Sequence, residues 1–113
     1  MTTKKQIFLT GATGYLGSYV ADVMLRETDV ELLLLTRARN REESVQRFWA
    51  AMQLHMDPAT YYSYLDRVRF LPGDLTAPGL GLSEEDRKHV VEHADSVLHM
   101  AASLNRKSEK TCL

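Results

Sequence analysis

The chain has 113 residues, 44% of them hydrophobic and 26% charged, with a formal net charge of −1. That length allows one domain at most, and the composition is that of an ordinary globular fold. The near-neutral balance gives no basis for a nucleic acid or an anionic membrane as partner, and no apolar run approaches the roughly 20 residues of a membrane span.

Met1 to Lys5 carries charge but is followed by only a short apolar stretch, which is not the pattern of a signal peptide. Cys112 is the single cysteine, so no internal disulfide forms, and the expected compartment is the reducing cytoplasm. Gln6-Ile7-Phe8-Leu9 reads as a short buried strand. The glycine turn Gly11-Ala12-Thr13-Gly14-Tyr15-Leu16-Gly17 follows, and then a helical run in which Leu16, Val20, Val23 and Met24 are expected on the buried face. Strand, glycine turn and helix together are the context of a pyrophosphate site, because a helix N-terminus offers unpaired N–H groups and a partial positive charge. In that reading Gly11 makes the tight turn, Gly14 lets backbone approach phosphate, and Gly17 lets the helix pack closely on the strand. Three glycines in one turn also fit an ordinary loop. A Walker-type phosphate loop is excluded, since no Gly-Lys-Ser/Thr follows.

Val30 to Leu35 is a near-continuous apolar run, as in a strand buried on both faces of a parallel sheet. Asn40 to Glu43 looks like a capping box opening a second helix, with Val45, Phe48, Trp49, Met52 and Met56 as its apolar stripe and Asp57-Pro58 as its end. Tyr61, Tyr62 and Tyr64 are expected to pack a short helix onto its neighbour rather than to form a binding surface. Val68 to Leu71 is a third strand, stopped by Pro72-Gly73, and Thr76 to Gly81 is loop. Ser83, with Asp86 three residues on, caps a helix running through Val90, Val91 and Ala94. Ser96 to Met100 is the fourth strand.

Four alternations of strand and helix argue for an α/β fold: a Rossmann-type, doubly wound parallel sheet of four strands in the order 3-2-1-4. A ligand then belongs at the carboxyl ends of strands one and four, where the order reverses, and the glycine turn and Ala101-Ala102-Ser103 both fall there.

Arg37 ends the second strand, where NAD-binding folds usually carry an acid for the ribose hydroxyl; a basic residue there suits the 2′-phosphate of NADP, so NADP is expected over NAD. Arg39, Arg41 and Arg47 are close in sequence, and all four also fit a solvated loop and helix face. Asp74 follows a strand end at the ligand edge, although beside Gly73 it fits a turn-forming aspartate as well. His89 and His93 have metal-ligand spacing but no third ligand, and are read as surface histidines. His99 is read as a packed histidine hydrogen-bonding within the sheet, not as a base, and Cys112 carries no mark of a nucleophile.

With Thr10 in front, the glycine turn resembles that of the extended short-chain dehydrogenase/reductase family. The segments Leu32 to Arg39, Arg67 to Ser83 and Asp95 to Asn105 are similar to its thioester reductase and fatty acyl-CoA reductase branch. The resemblance counts Thr10 among the cofactor-binding residues. It implies that backbone at Gly11, Thr13, Gly14, Tyr15 and Leu16 lines the pyrophosphate, and that Asp74 accepts from the adenine amino group with Leu75 flanking the ring. It also implies that Ala101, Ala102 and Ser103 border the nicotinamide ribose. Reductases of this kind carry a Tyr-x-x-x-Lys pair, but Tyr15, Tyr19, Tyr61, Tyr62 and Tyr64 are followed at that offset by Tyr, Val, Leu, Asp and Val. Residues 1–113 are therefore expected to be the N-terminal part of an NAD(P)-binding domain, inactive alone, with catalytic and substrate regions elsewhere in a longer reductase. The substrate of that reductase is expected to be an acyl thioester on an acyl carrier protein or coenzyme A. An NAD-dependent sugar epimerase or dehydratase and a non-catalytic nucleotide-binding module are the alternatives.

Overall fold

The computed structural model describes residues 4–100. Their elements are β1 (Gln6–Thr10), α1 (Tyr15–Glu27), β2 (Glu31–Thr36), α2 (Arg41–Met52), α3 (Pro58–Tyr64), β3 (Val68–Pro72), α4 (Glu84–His93) and β4 (Ser96–His99). The strands form one sheet in the order β3-β2-β1-β4. All three pairings are parallel, with Ile7 opposite Leu32, Phe8 opposite Val97 and Leu34 opposite Phe70. The expected order holds, and the fold is a doubly wound α/β sheet.

Alternation along each strand sends side chains to opposite faces, so the apolar runs of β1 and β2 feed two cores. On one face Ile7, Leu9, Leu32, Leu34, Val68 and Phe70 meet Ala21 and Leu25 of α1, Phe48 and Met52 of α2, and Tyr61 of α3. On the other, Phe8, Leu33, Leu35 and Leu71 are covered by Val90 and Ala94 of α4 and by Leu75, Leu80 and Leu82. The second cover is thin: no residue of α4 is fully buried, and Val91 is 77% exposed.

Of the tyrosine cluster, Tyr61 and Tyr64 pack as expected, whereas Tyr62 is 58% exposed. Tyr61 is buried, donates to the Val45 carbonyl at 2.6 Å, and lies 5.0 Å from the Trp49 ring. Asn40, Asp57 and Ser83 cap α2, α3 and α4 through Glu43, Thr60 and Asp86 N–H groups. Glu43 does not complete a capping box on Asn40; its carboxylate accepts instead from the Arg39 N–H at 2.8 Å.

The expected inner face of α1 is corrected. Its buried residues are Gly17, Ser18, Ala21, Asp22 and Leu25, while Leu16 is exposed and Val20, Val23 and Met24 are half-buried. Closeness is the reason. A Cβ on Gly17 would lie 1.9 Å from the Gly11 carbonyl oxygen, so only small side chains fit where the helix crosses the turn. Arg67 closes the far end of α1, donating to the carbonyls of Leu25, Thr28 and Val30.

Candidate functional site: the carboxyl edge of the sheet

The glycine turn joins the end of β1 to the start of α1. Gly11 has φ 81°, a left-handed conformation that favours glycine. The Gly14 N–H donates to the Gly11 carbonyl at 3.1 Å and the Ser18 N–H to the Gly14 carbonyl at 2.9 Å. Gly14 itself is extended, and a Cβ there would meet only the Gly11 oxygen, at an ordinary 3.4 Å. The fold therefore requires glycine at Gly11 and Gly17 but not at Gly14. No side chain caps α1, unlike the other three α-helices among the described residues. Its first-turn N–H groups have no intrahelical acceptor, and Thr13, Tyr15 and Leu16 beside them are exposed. An uncapped, exposed helix N-terminus of this kind fits an anion such as pyrophosphate.

Thr10 is only 2% exposed, and a 2.8 Å hydrogen bond joins its Oγ1 to His99 Nδ1. The Met100 N–H donates to the Thr10 carbonyl at 3.1 Å. The ends of β1 and β4 are thus fastened side by side just before the turn. His99 hydrogen-bonds to a neighbouring strand as expected, but it is exposed at the end of β4 rather than packed. Ser18 Oγ donates to the Tyr15 carbonyl and lies 3.2 Å from His55 Nε2, tying the first turn of α1 to the loop after α2.

The second wall comes from the ends of β2 and β3. The Gly73 N–H donates to the Thr36 carbonyl at 2.8 Å, and the Thr36 hydroxyl is bonded to the buried Ser44 at 2.6 Å. A Cβ on Gly73 would sit 2.4 Å from the Leu80 carbonyl oxygen, so glycine is required here for close approach. Asp74 Oδ1 accepts from both the N–H and the hydroxyl of Thr76, at 2.9 and 2.8 Å. Those bonds, helped by the Arg37 charge, hold its carboxyl below the usual carboxylate range. The turn-forming role of Asp74 is thus real, and it engages Oδ1. Leu75 packs partly into the second core.

Arg37 and Asp74, far apart in sequence, line one depression of about 360 Å³ together with Ala38, Arg39, Glu43, Arg47 and Gly73. Arg39 and Arg47 are ion-paired to Glu43 at 3.3 and 3.4 Å, whereas Arg37 is exposed and its charge acts on Asp74. Arg41 lies apart, with its guanidinium 5.8 Å from the Phe70 ring centre. The sequence reading missed the grip of Glu43 on two arginines, although Glu43 stands four residues from each, the spacing that brings side chains together on a helix. Gly73's close approach and the Thr36–Ser44 bond leave no such signal. Ala101, Ala102, Ser103 and Cys112 lie outside the described residues. His89 bonds Gln6 at 3.0 Å near the opposite end of the sheet, beside a separate cavity of about 390 Å³. No group of three or more metal-ligating side chains occurs among the described residues.

The chain is similar to known proteins in sequence and in fold. The chain is 32% identical over 107 residues to the fatty acyl-CoA reductase wat of Drosophila melanogaster, covering 88% of this chain and 20% of that protein. It is 31% identical over 104 residues to L-2-aminoadipate reductase of Schizosaccharomyces pombe, covering 87% of this chain and 7% of that one. Among solved structures, the terminal R domain of the myxalamid PKS-NRPS pathway superposes with a TM-score of 0.74 at 28% identity, covering 88% of this chain and 25% of that one. The reductase domain of a nonribosomal peptide synthetase from Mycobacterium tuberculosis gives 0.73 at 30% identity, with 88% and 24% covered. The chain thus spans a quarter or less of each of these proteins. A sequence profile of the NAD-binding family described as male sterility protein matches residues 9–111. The chain belongs to that family, whose cofactor is a nicotinamide dinucleotide.

Proposed function

We propose that residues 1–113 form the N-terminal, NADP(H)-binding part of a reductase that converts acyl thioesters, borne on an acyl carrier protein or coenzyme A, to aldehydes or alcohols. The observation that carries the reading is the shared depression of Arg37 and Asp74 at the carboxyl edge of the sheet. Support for the thioester substrate comes from the relatives, which include a fatty acyl-CoA reductase and reductase domains of peptide and polyketide synthetases.

When bound, NADPH supplies the hydride that reduces the thioester carbonyl. The residues of this chain bind and orient it. The backbone of Gly11, Thr13, Gly14, Tyr15 and Leu16 receives the pyrophosphate, with the positive end of α1 behind it. Arg37 takes the 2′-phosphate. Asp74 accepts from the adenine amino group through Oδ2, since Thr76 engages Oδ1. Leu75 flanks the ring, and Ala101, Ala102 and Ser103 border the nicotinamide ribose. Thr10 contributes by holding β4 against the turn through His99.

A titration of the intact protein with NADP⁺ and NAD⁺ tests this. A charge-assisted arginine–phosphate bond contributes about 1.5–3 kcal/mol, so NADP⁺ should bind roughly tenfold to a hundredfold more tightly. Arg37→Ala should remove that preference and leave NAD⁺ affinity little changed. Equal affinities, or tighter NAD⁺, would overturn the assignment of Arg37.

A further inference from the structure

We propose that Glu43 limits the preference for NADP(H) by withholding Arg39 and Arg47 from the 2′-phosphate, so that Arg37 alone sets it. The inference rests on the reading of the depression as the 2′-phosphate site. Three guanidinium groups line that depression, and one carboxylate holds two of them. Glu43 Oε1 accepts from the Arg39 N–H at 2.8 Å and from its Nε at 3.3 Å, while Oε2 accepts from Arg47 Nη2 at 3.4 Å. Both oxygens are thus occupied, and the carboxylate is fixed by the backbone bond at the mouth of α2. Its side chain is 26% exposed, against 89% for Arg39 and 53% for Arg47.

Two consequences follow for a dianionic group entering the depression. It meets the negative charge of Glu43, and it must compete with that carboxylate for Arg39 and Arg47. Exposed ion pairs of this kind are weak, so the competition is one a phosphate can shift when the carboxylate is neutralised. Among the described residues Arg37 makes no such ion pair, although its charge acts on Asp74, so its guanidinium meets the phosphate without first leaving a carboxylate.

Glu43→Gln tests the idea in the intact protein. The amide oxygen still accepts from the Arg39 N–H, so the start of α2 is kept, but the charge is gone. The ratio of NADP⁺ to NAD⁺ affinity should rise about three- to tenfold, in line with the release of two exposed pairs, and the gain should shrink at high salt. It should also vanish in an Arg39→Gln/Arg47→Gln background, where there is nothing to release. A second measurement does not depend on how Glu43→Gln folds. With Glu43 intact, Arg39→Gln/Arg47→Gln should change the ratio less than about threefold, because Glu43 already holds both side chains away. An unchanged or lower ratio in Glu43→Gln overturns the proposal. So does a loss of preference in the double arginine variant as large as that of Arg37→Ala. If the wild-type protein shows no preference for NADP⁺, it is the 2′-phosphate reading itself that fails.

Discussion

At the scale of single residues, the three glycines of the turn divide into two kinds. Gly17 faces a backbone oxygen that would lie 1.9 Å from a Cβ, so Gly17→Ala must push α1 off the turn. Overpacking of this sort costs about 1–3 kcal/mol, and more where backbone is the obstacle. Gly14 faces no such obstacle and has an extended backbone that valine adopts readily. Gly14→Val should therefore melt within a few degrees of wild type and yet lose nucleotide binding, because its branched side chain occupies the proposed pyrophosphate site. Paired melting curves and titrations of the two variants check this. Normal binding by a folded Gly14→Val would show that the turn does not hold phosphate. The sequence motif alone could not separate the two glycines, since spacing records where a Cβ is missing and not what it would meet. Asp74 teaches the same lesson. Its turn-forming and ligand-binding readings competed in the sequence, but a carboxylate has two oxygens, and Thr76 engages one.

Among the elements, the strands were the most legible. The run Leu32 to Leu35 is apolar throughout because both faces of a parallel sheet are covered, and the sheet order followed from the alternation. The helices were less so. The stripe of α2 read correctly as far as Met52, because bulky side chains fill the space over the sheet, as Phe48 and Met52 do; the helix ends there, so Met56 packs from the loop beyond it. On α1 the same rule failed: contact with the glycine turn favours the smallest residues, and the bulky ones face outward. On α4, charge patterning marked the cap, but which valine packs depends on how little of that helix is covered. This thin cover has a pH signature at His89. Burial, then Arg69 and His93, lower its pKa, outweighing Asp86 and Glu31, so the folded state resists the proton that the unfolded chain takes up. Stability from this group is complete above the ordinary histidine value of about 6.5 and is lost as pH falls through the lower folded value. The melting temperature should drop between roughly pH 7 and pH 5, and His89→Gln should flatten the drop. A wild-type profile level across that range would contradict it. Carboxylates such as Asp57 and Asp74, also lowered, act in the same direction at more acid pH.

For the molecule as a whole, the two edges of the sheet differ. β3 carries exposed Arg69 and ends in Pro72, both of which discourage a further strand. β4 has neither protection, and Val97 is 60% exposed on it. Residues 1–113 by themselves should accordingly associate as concentration rises, and Val97→Lys should suppress this in sedimentation velocity. A wild-type chain that stays monomeric and melts cooperatively would dismiss the edge as a liability. Residues 1–113 should also be catalytically inert. Hydride transfer to a carbonyl leaves negative charge on oxygen, which needs a positioned donor, and the sequence contains no Tyr-x-x-x-Lys. Following NADPH absorbance with acyl-CoA thioesters checks this. Turnover above a Gly14→Val control would locate the chemistry within these residues after all.

The fastening of Thr10 to His99 also bears on the order in which the molecule is made. Of the four described strands β1 is made before the others and is an inner one, and its partner on one side arrives 89 residues later. At about 5–20 residues per second on the ribosome, β1 waits roughly 4–18 s with that edge bare while β2 and β3 are already available to pair on the other side. The emerging chain thus carries a half-finished nucleotide edge, with its glycine turn made and its neighbouring strand still to come. Anything that pauses translation before His99 prolongs that exposure of an unpaired edge.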